Sequence, residues 1–523
     1  MINSKVMRNI IFVLFFYISL LNIYSQNSNI VEGVRFYDRF DYDRAIEKFK
    51  AVLEKGSKED KFIAYDYLGK CYKYKGMFRE SSEWYKKLME EDKNNKENIL
   101  KYGLALKSEY LFDDAMAMFE EYSKKNPNDI RTGNLIKSCL YAKEWVKNKD
   151  DMPYSVNYIK SSGQNSINTL FFEYNPFFNK DKLIIASSRN YGDTTDVSQS
   201  RYYCNYYDVN IYNMRLTENK ELKDDIEYNG SFSIIEDGNK LFFTKIIKEI
   251  QAKGKPKISY QIWYKEKKDG KWSESLNILP FNSMNYFCVH PSLSKDGKSL
   301  YFASNMSGGY GGFDIYVSKY DENTHKWNMP INLGEVINTP GDELFVMVYD
   351  DVMYFSSDFH PGLGGLDIFR SVFENDEWSK PENLKPPINS IFDDFHFVPY
   401  NSNYGVFCSD NPVFDGINSP GFGDIFTFYN NKEKEIIIKD NEINIANTYF
   451  FDNFNYKVNE DLMLSNNNYY FYIFYYAQKY LIKQFKNDQI INTLLYEIKK
   501  INDNNTEINI QTYKDNKTNI KIT

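Results

Sequence analysis

Carboxylates recur in the middle of this chain at a fixed spacing. Asp314, Asp367 and Asp424 each follow a glycine-rich stretch and open an apolar run, and Asp342-Glu343 and Asp393-Asp394 recur one repeat apart. Grouped carboxylates can bind a cation, receive a basic partner, or divide acid and base roles in glycoside hydrolysis. A carboxylate at the start of a strand can also accept backbone N–H bonds and hold a turn. Every repeat carries the aspartate, so the turn role is expected for Asp314, Asp367 and Asp424. Asp342, Glu343, Asp393 and Asp394 are candidates for acids at the mouth of whatever the repeats enclose.

Other chemistry-bearing patterns are missing. The four histidines, His290, His325, His360 and His396, show no HExxH or paired-ligand spacing. There is no GxSxG elbow. The glycines from Gly308 to Gly312 lack the Lys-Ser/Thr and helix of a phosphate loop. The five cysteines, Cys71, Cys139, Cys204, Cys288 and Cys408, are far apart, with no CxxC, so they read as small buried hydrophobes. These absences lead to the expectation of no catalytic residue, no metal and no cofactor, in a chain that is not an enzyme.

The elements that must position the acids repeat as well. Tyr301-Phe302-Ala303-Ser304, Tyr354-Phe355-Ser356-Ser357 and Val406-Phe407-Cys408-Ser409 each precede a glycine turn and then Asp-Ile-Tyr or Asp-Ile-Phe. Tyr301 to Tyr354 is 53 positions (354 − 301), and Tyr354 to Val406 is 52 (406 − 354). Short apolar strands and glycine turns at a period near fifty predict the blades of a β-propeller. Two weaker blades precede these three, with Leu183–Arg189 facing Asp208–Tyr212 and Leu241–Thr244 facing Gln261–Tyr264. The expectation is an all-β propeller of five blades, with room for a sixth, over 151–430.

Between 27 and 150 the apolar period is helical. Gly33, Gly69 and Gly103 recur with Ala45, Ser81 and Ala115 and with Phe49, Tyr85 and Phe119. Small residues where paired helices touch, with aromatics between them, follow the tetratricopeptide pattern. Three helix pairs and a cap helix over Ile130–Trp145 are therefore expected, forming a stack in which each pair buries its face against the next. Such stacks offer protein-binding surfaces.

At 523 residues the chain needs several cores. Its net charge of −8 offers no basic patch, so nucleic acid is not an expected partner. Lys5 and Arg8 precede the apolar run Ile10–Leu21, and Tyr24-Ser25-Gln26 follows, as in a secretory signal peptide over 1–25. No later stretch is an expected transmembrane helix once that segment is cleaved, and the periplasm is the expected location. The final region, 431–523, is expected to be a small α+β or partly disordered domain, with an amphipathic helix near Tyr469–Lys486.

Longer motifs carry a family resemblance. Leu279-Pro280-Phe281-Asn282-Ser283, His290-Pro291-Ser292-Leu293-Ser294, Ile337-Asn338-Thr339-Pro340-Gly341-Asp342-Glu343 and Ile388-Asn389-Ser390 join the glycine turns already described. Together with the helical repeats they resemble Bacteroidetes envelope proteins of the OmpA family. Those proteins combine a signal peptide, tetratricopeptide repeats, a TolB/WD40-like five-bladed propeller and a C-terminal OmpA-like domain. They include the peptidoglycan-associated periplasmic subunit of the type IX secretion system. The resemblance implies a scaffold at the outer membrane or cell wall that binds envelope proteins through its repeats and propeller, in type IX secretion or gliding. It also implies a degenerate OmpA-like tail in which Asp515 would receive the amine end of a peptidoglycan stem peptide. The family's partner arginine has no counterpart here. Two alternatives remain open: a carbohydrate- or metal-binding, or hydrolytic, envelope propeller, and a peptidoglycan tether through the tail.

Overall fold

A computed structural model describes residues 27–148, most of 153–430, and the strands between 469 and 522. Within the middle stretch, 160–165, 170, 180–181, 190–204, 211–215, 224–228, 236–237, 251–255, 402, 415–416 and 419–422 fall outside the described residues.

Seven helices fill residues 27–148: α1 (Ser28–Asp38), α2 (Tyr42–Lys55), α3 (Lys58–Tyr74), α4 (Phe78–Glu91), α5 (Glu97–Ser108), α6 (Phe112–Lys125) and α7 (Arg131–Lys147). They are three hairpins and a cap. The repeated glycine of each first helix touches the aromatic ring sixteen residues on. A Cβ on Gly69 would stand 2.5 Å from the Tyr85 ring, and one on Gly103 would stand 2.6 Å from Phe119. Ala45, Ser81 and Ala115 are buried at the equivalent crossings, where only small side chains let helices approach. Each hairpin turns through a left-handed residue, Phe40, Gly76 or Tyr110.

The propeller has five blades. Blade 1 is β2 (Glu173–Asn179), β3 (Lys182–Ser187), β4 (Asn205–Asn210) and β5 (Leu216–Glu218). Blade 2 is β6 (Asn229–Ile234), β7 (Lys240–Ile250), β8 (Pro256–Lys268) and β9 (Lys271–Trp272). Blade 3 is β10 (Cys288–Leu293), β11 (Ser299–Ser304), β12 (Asp314–Asp321), β13 (Lys326–Trp327) and β14 (Ile331–Asn332). Blade 4 is β15 (Glu343–Tyr349), β16 (Val352–Ser357), β17 (Asp367–Glu374), β18 (Glu377–Trp378) and β19 (Glu382–Asn383). Blade 5 takes β20 (Asp394–Pro399), β21 (Tyr404–Ser409) and β24 (Asp424–Asn430) from one end of the domain and β1 (Tyr154–Tyr158) from the other. A short hairpin, β22 (Val413–Phe414) and β23 (Ile417–Asn418), lies between β21 and β24.

β1 pairs antiparallel with β24, Val156 opposite Phe428, and this pairing closes the ring without a sixth blade. One apolar cluster fills each gap between neighbouring blades. Phe232 and Tyr206 lie between blades 1 and 2, Phe281 and Phe302 between 2 and 3, and Val346 and Phe355 between 3 and 4. Phe397 and Phe407 lie between blades 4 and 5, and Ile185 and Val406 between 5 and 1. Flat blade faces need broad side chains to fill these gaps, which accounts for the 17% aromatic content.

The described residues of the tail form an antiparallel meander: β25 (Tyr469–Tyr476), β26 (Lys479–Lys486), β27 (Gln489–Asn502), β28 (Asn505–Thr512) and β29 (Lys517–Ile522). Tyr469–Lys486 is thus two paired strands and not the expected amphipathic helix. Its run of tyrosine, phenylalanine and isoleucine favours strand over helix. The expected signal peptide and Asp515 lie outside the described residues. No described helix is long and apolar enough to cross a membrane.

Candidate functional site: the capped mouth and axis of the propeller

The repeated aspartates lie where β-strands leave the glycine turns. Asp314 accepts the backbone N–H groups of Tyr310 (2.6 Å) and Gly311 (3.1 Å), and the Nδ2 of Asn332 (2.9 Å). Asp367 accepts from Leu363 and Gly364 at 3.1 and 3.0 Å, and burial pushes its carboxyl up to about 6. Asp424 is fully buried at the start of β24. Each turn approaches its aspartate too closely for a side chain, since a Cβ on Gly309 or Gly362 would fall onto the Asp314 or Asp367 carboxylate.

The second acid set divides in two. Asp342 and Asp393 each accept a backbone N–H from the preceding blade's turn, Phe313 at 2.8 Å and Leu366 at 2.9 Å. Glu343 and Asp394 are buried at the starts of β15 and β20. Glu343 accepts from the Thr339 N–H (2.8 Å) and hydroxyl (2.5 Å) and from the Ser357 hydroxyl (2.7 Å). Asp394 accepts from the Ser390 N–H and the Ser409 hydroxyl, both at 2.5 Å. Glu173 has the same role in blade 1, with Thr169, Ser187 and the Arg189 guanidinium at 3.0 Å. Burial pushes Glu343 up to about 7 and holds Asp394 and Glu173 above the usual carboxylate range. These buried acids lock the entry of an inner strand to the exit of the next one out.

Sequence reasoning missed the asparagines that join blade to blade. Asn338 accepts from the Ile315 N–H (2.7 Å) and donates to the Ile315 carbonyl (3.0 Å). Asn389 grips Ile368 at 2.7 and 2.9 Å, Asn282 grips Ile262 at 3.1 and 2.7 Å, and Asn168 grips Ile425 at 2.8 and 2.9 Å. Each amide reaches back to the third strand of the preceding blade. The Asn168 bond spans the ring closure. The sequence signal was the recurring Ile/Phe-Asn-Ser/Thr triplet ending in Thr169, Ser283, Thr339 and Ser390.

The helical stack lies on this same face. Its hairpin turns meet the propeller loops through Phe40 on Phe172 (5.5 Å between rings) and Tyr74 and Phe78 on Phe392 (6.3 and 5.9 Å). Lys73 lies over the Phe392 ring. The Gly362 N–H donates to the Ser138 hydroxyl at 3.2 Å, and Leu363 enters the apolar core of the last three helices. Asp358, Asp393 and Asp410 line the covered mouth. Burial, with Asp393 nearby, pushes Asp410 up to about 8, and burial with Asp342 nearby raises Asp358. Burial lowers the Lys73 and Lys107 ammoniums on the helical side, partly offset by Asp393 and Asp367 respectively.

The axis itself is occupied. His290 and Phe345 stack at 4.0 Å, and Phe345 meets His396 at 4.6 Å. His290 sits in the bulge of β10 and faces the channel. His360 lies in a turn, against the Ile337 carbonyl at 2.9 Å. Cys71, Cys139, Cys288 and Cys408 are buried free thiols. Among the described residues no group of three His, Cys, Asp or Glu side chains could hold a metal ion.

No protein-family model matches the chain, and no curated protein matches it. Solved structures similar to it include the C-terminal TPR-containing domain of a Plasmodium falciparum FK506-binding protein. That match covers 24% of this chain and 98% of that one, at 19% identity and a TM-score of 0.21. α-L-Arabinofuranosidase from Lactobacillus brevis is matched over 52% of this chain and 94% of its own, at 13% identity and a TM-score of 0.29. The GH43 protein BlXynB from Bacillus licheniformis is matched over 70% and 90%, at 11% identity and a TM-score of 0.31. Glycoside hydrolases and peptidases make up most of these neighbours, so the expectation that the chain is not an enzyme is overturned. At this identity the likeness is one of fold, and it transfers no residue role, substrate or reaction.

Proposed function

We propose that the chain is an exported docking protein that recruits a protein partner to the end of its helical stack. The carrying observation is the outer face of α7. A terminal helix of a repeat stack normally turns a polar face to water. Here Leu140 is 52% exposed and Tyr141 47%, and Ile130 just before the helix is 62% exposed. The first four helices expose one large apolar residue, Val31, whereas seven such residues lie between Leu104 and Val146.

A cleft of about 700 Å³ opens between α7 and blade 4, lined by Tyr141, Trp145, Arg370, Glu382 and Lys385. Tyr141 and Trp145 stack there at 5.9 Å. The Arg370 Nε is buried without a hydrogen-bond partner among the described residues. An aromatic platform beside a guanidinium that pairs with Glu382 at 4.0 Å but keeps its Nε unmet suits an anchor residue of a partner protein. The sequence resemblance would place that partner in an envelope assembly, type IX secretion among them, and the signal-like N-terminus supports export.

The test is affinity capture from envelope fractions with the full chain and with Leu140→Glu/Tyr141→Glu. The proposal expects a partner retained by the first and lost by the second. A partner retained equally by both would sink it.

A further inference from the structure

Blade 2 departs from its neighbours in the length of its middle hairpin. In blades 3 and 4 the pairing of the second and third strands ends at Ser304–Asp314 and Ser357–Asp367, and glycine turns join them. Asn282 grips Ile262 as Asn338 grips Ile315, so the Lys245–Gln261 pair of blade 2 stands where blade 3 has Ser304–Asp314. Five further pairs continue beyond it, from Ile246–Tyr260 to Ile250–Pro256. At about 3.3 Å per residue they carry the hairpin roughly 16 Å past that level, on the face where the other blades place their glycine turns.

The base of this extension is propped against the loop that leads into β10. The Ser259 hydroxyl lies 2.6 Å from the Ser283 carbonyl oxygen and 2.9 Å from that of Tyr286. The Lys257 ammonium donates to the Asn285 Oδ1 at 2.8 Å, and the Tyr260 and Phe287 rings meet edge to face at 5.1 Å. The far end is open to water. Ile250 is 81% exposed, more than any other large apolar side chain among the described residues, and Ile258 is 42% exposed. Opposed residues share a face and alternate pairs return to it, so Lys248, Ile250, Pro256 and Ile258 lie on one face. The helical stack meets loops of blades 1, 4 and 5, through Phe172, Leu363 and Phe392.

Charge sets the same hairpin apart. Residues 240–268 contain nine lysines and two glutamates, a net charge of +7 (9 − 2). The whole chain carries −8, which leaves −15 (−8 − 7) on the remainder, so the overall charge conceals this local excess. We propose that the hairpin docks the chain onto an anionic phospholipid bilayer. Ile250 and Ile258 enter the boundary between headgroups and acyl chains, and Lys248 and Lys257 meet the lipid phosphates.

The combination of side chains favours a bilayer over other anions. Apolar residues at a projecting tip gain by leaving water for the acyl boundary, and neighbouring lysines add attraction to anionic headgroups. A nucleic acid backbone would meet the lysines but give the isoleucines no apolar partner. The acidic remainder of the chain is repelled by the same surface, so attachment is confined to the hairpin and weakens as salt shortens the screening length. It does not depend on the protein contact proposed for α7.

Co-sedimentation of the full chain with vesicles tests the surface, comparing phosphatidylglycerol–phosphatidylethanolamine with phosphatidylcholine alone. The proposal expects binding to the anionic vesicles that exceeds binding to phosphatidylcholine and falls at least fivefold between roughly 50 and 500 mM salt. Lys248→Glu/Lys257→Glu should weaken it at least tenfold, since each lysine near such a surface contributes about fivefold. Ile250→Asn/Ile258→Asn should weaken it comparably, whereas Met329→Asn/Ile331→Asn, at exposed apolar residues of blade 3, should leave it unchanged. No binding to the anionic vesicles, or equal binding by the wild type and both hairpin variants, would overturn the proposal. So would binding of poly-glutamate in place of the vesicles, which would mark an acidic protein as the partner.

Discussion

Replacing Asn338 with alanine isolates the amide clamp between blades 3 and 4. The side chain accepts the Ile315 N–H at 2.7 Å and donates to the Ile315 carbonyl at 3.0 Å and to the Asn332 Oδ1 at 2.8 Å. Ile315 is fully buried and Asn338 is 2% exposed, so water reaches neither group freely. Alanine strands the N–H and carbonyl of Ile315 together. Each buried group left unsatisfied costs about 1–3 kcal/mol. Partial relaxation brings the expected loss to about 3 kcal/mol, a large share of the 5–15 kcal/mol typical of a folded protein. At roughly 2–4 °C per kcal/mol for a domain of this size, the propeller transition should fall by about 6–12 °C in differential scanning calorimetry. Asn323, exposed in the loop after β12, is the control, and its alanine variant should shift the transition by less than 2 °C. A drop for Asn338→Ala no larger than that for Asn323→Ala would refute the clamp as a source of stability.

Three further outcomes follow. Gly69→Ala places a methyl 2.5–2.8 Å from the Tyr85 ring and should cost about 1–3 kcal/mol by overpacking, read as an earlier helical transition in circular dichroism at 222 nm. Val156→Asp puts a carboxylate into the apolar cluster that β1 closes, and limited proteolysis should then cut the propeller at least tenfold faster than in the wild type. Glu343 concerns pH. Burial raises its folded value from 4.5 to about 7, so its contribution is full below pH 4.5 and fades as the pH rises through 7. At about 1.4 kcal/mol per pH unit, that is up to ~3 kcal/mol lost between pH 4.5 and 8, and Glu343→Gln should flatten the decline in urea-unfolding stability over that window. Asp367 and Asp410 carry the same sign and leave a residual slope, whereas buried His290, lowered to about 3, acts oppositely as pH falls below 6.5.

The blades were legible because their pattern is both local and repeated. Tyr301–Ser304, Tyr354–Ser357 and Val406–Ser409 became β-strands in equivalent register, each opposite a strand opened by Asp314, Asp367 or Asp424. The helix pairs were legible for a similar reason, since Gly69 and Tyr85 must occur together if two helices are to touch. The axial ring was not. Asn175, Gly230, His290, Phe345 and His396 share a bulge position but no single residue type, and only the strand register aligns them. The asparagine clamps are intermediate: the triplets repeat visibly, but their partners lie in another blade, across a distance that spacing alone does not reveal. The tail failed for a different reason, because an unbroken aromatic run over Tyr469–Tyr476 fits a strand better than an amphipathic face.

Site-specific photocrosslinking tests the docking reading most directly. A photoreactive phenylalanine analogue would replace Tyr141 on α7 in one variant and Glu322, exposed on blade 3, in another, each expressed in the native cell envelope. The account predicts a discrete protein adduct from position 141 and none of that mass from position 322. Adducts of the same mass from both positions, or none from position 141, would contradict it.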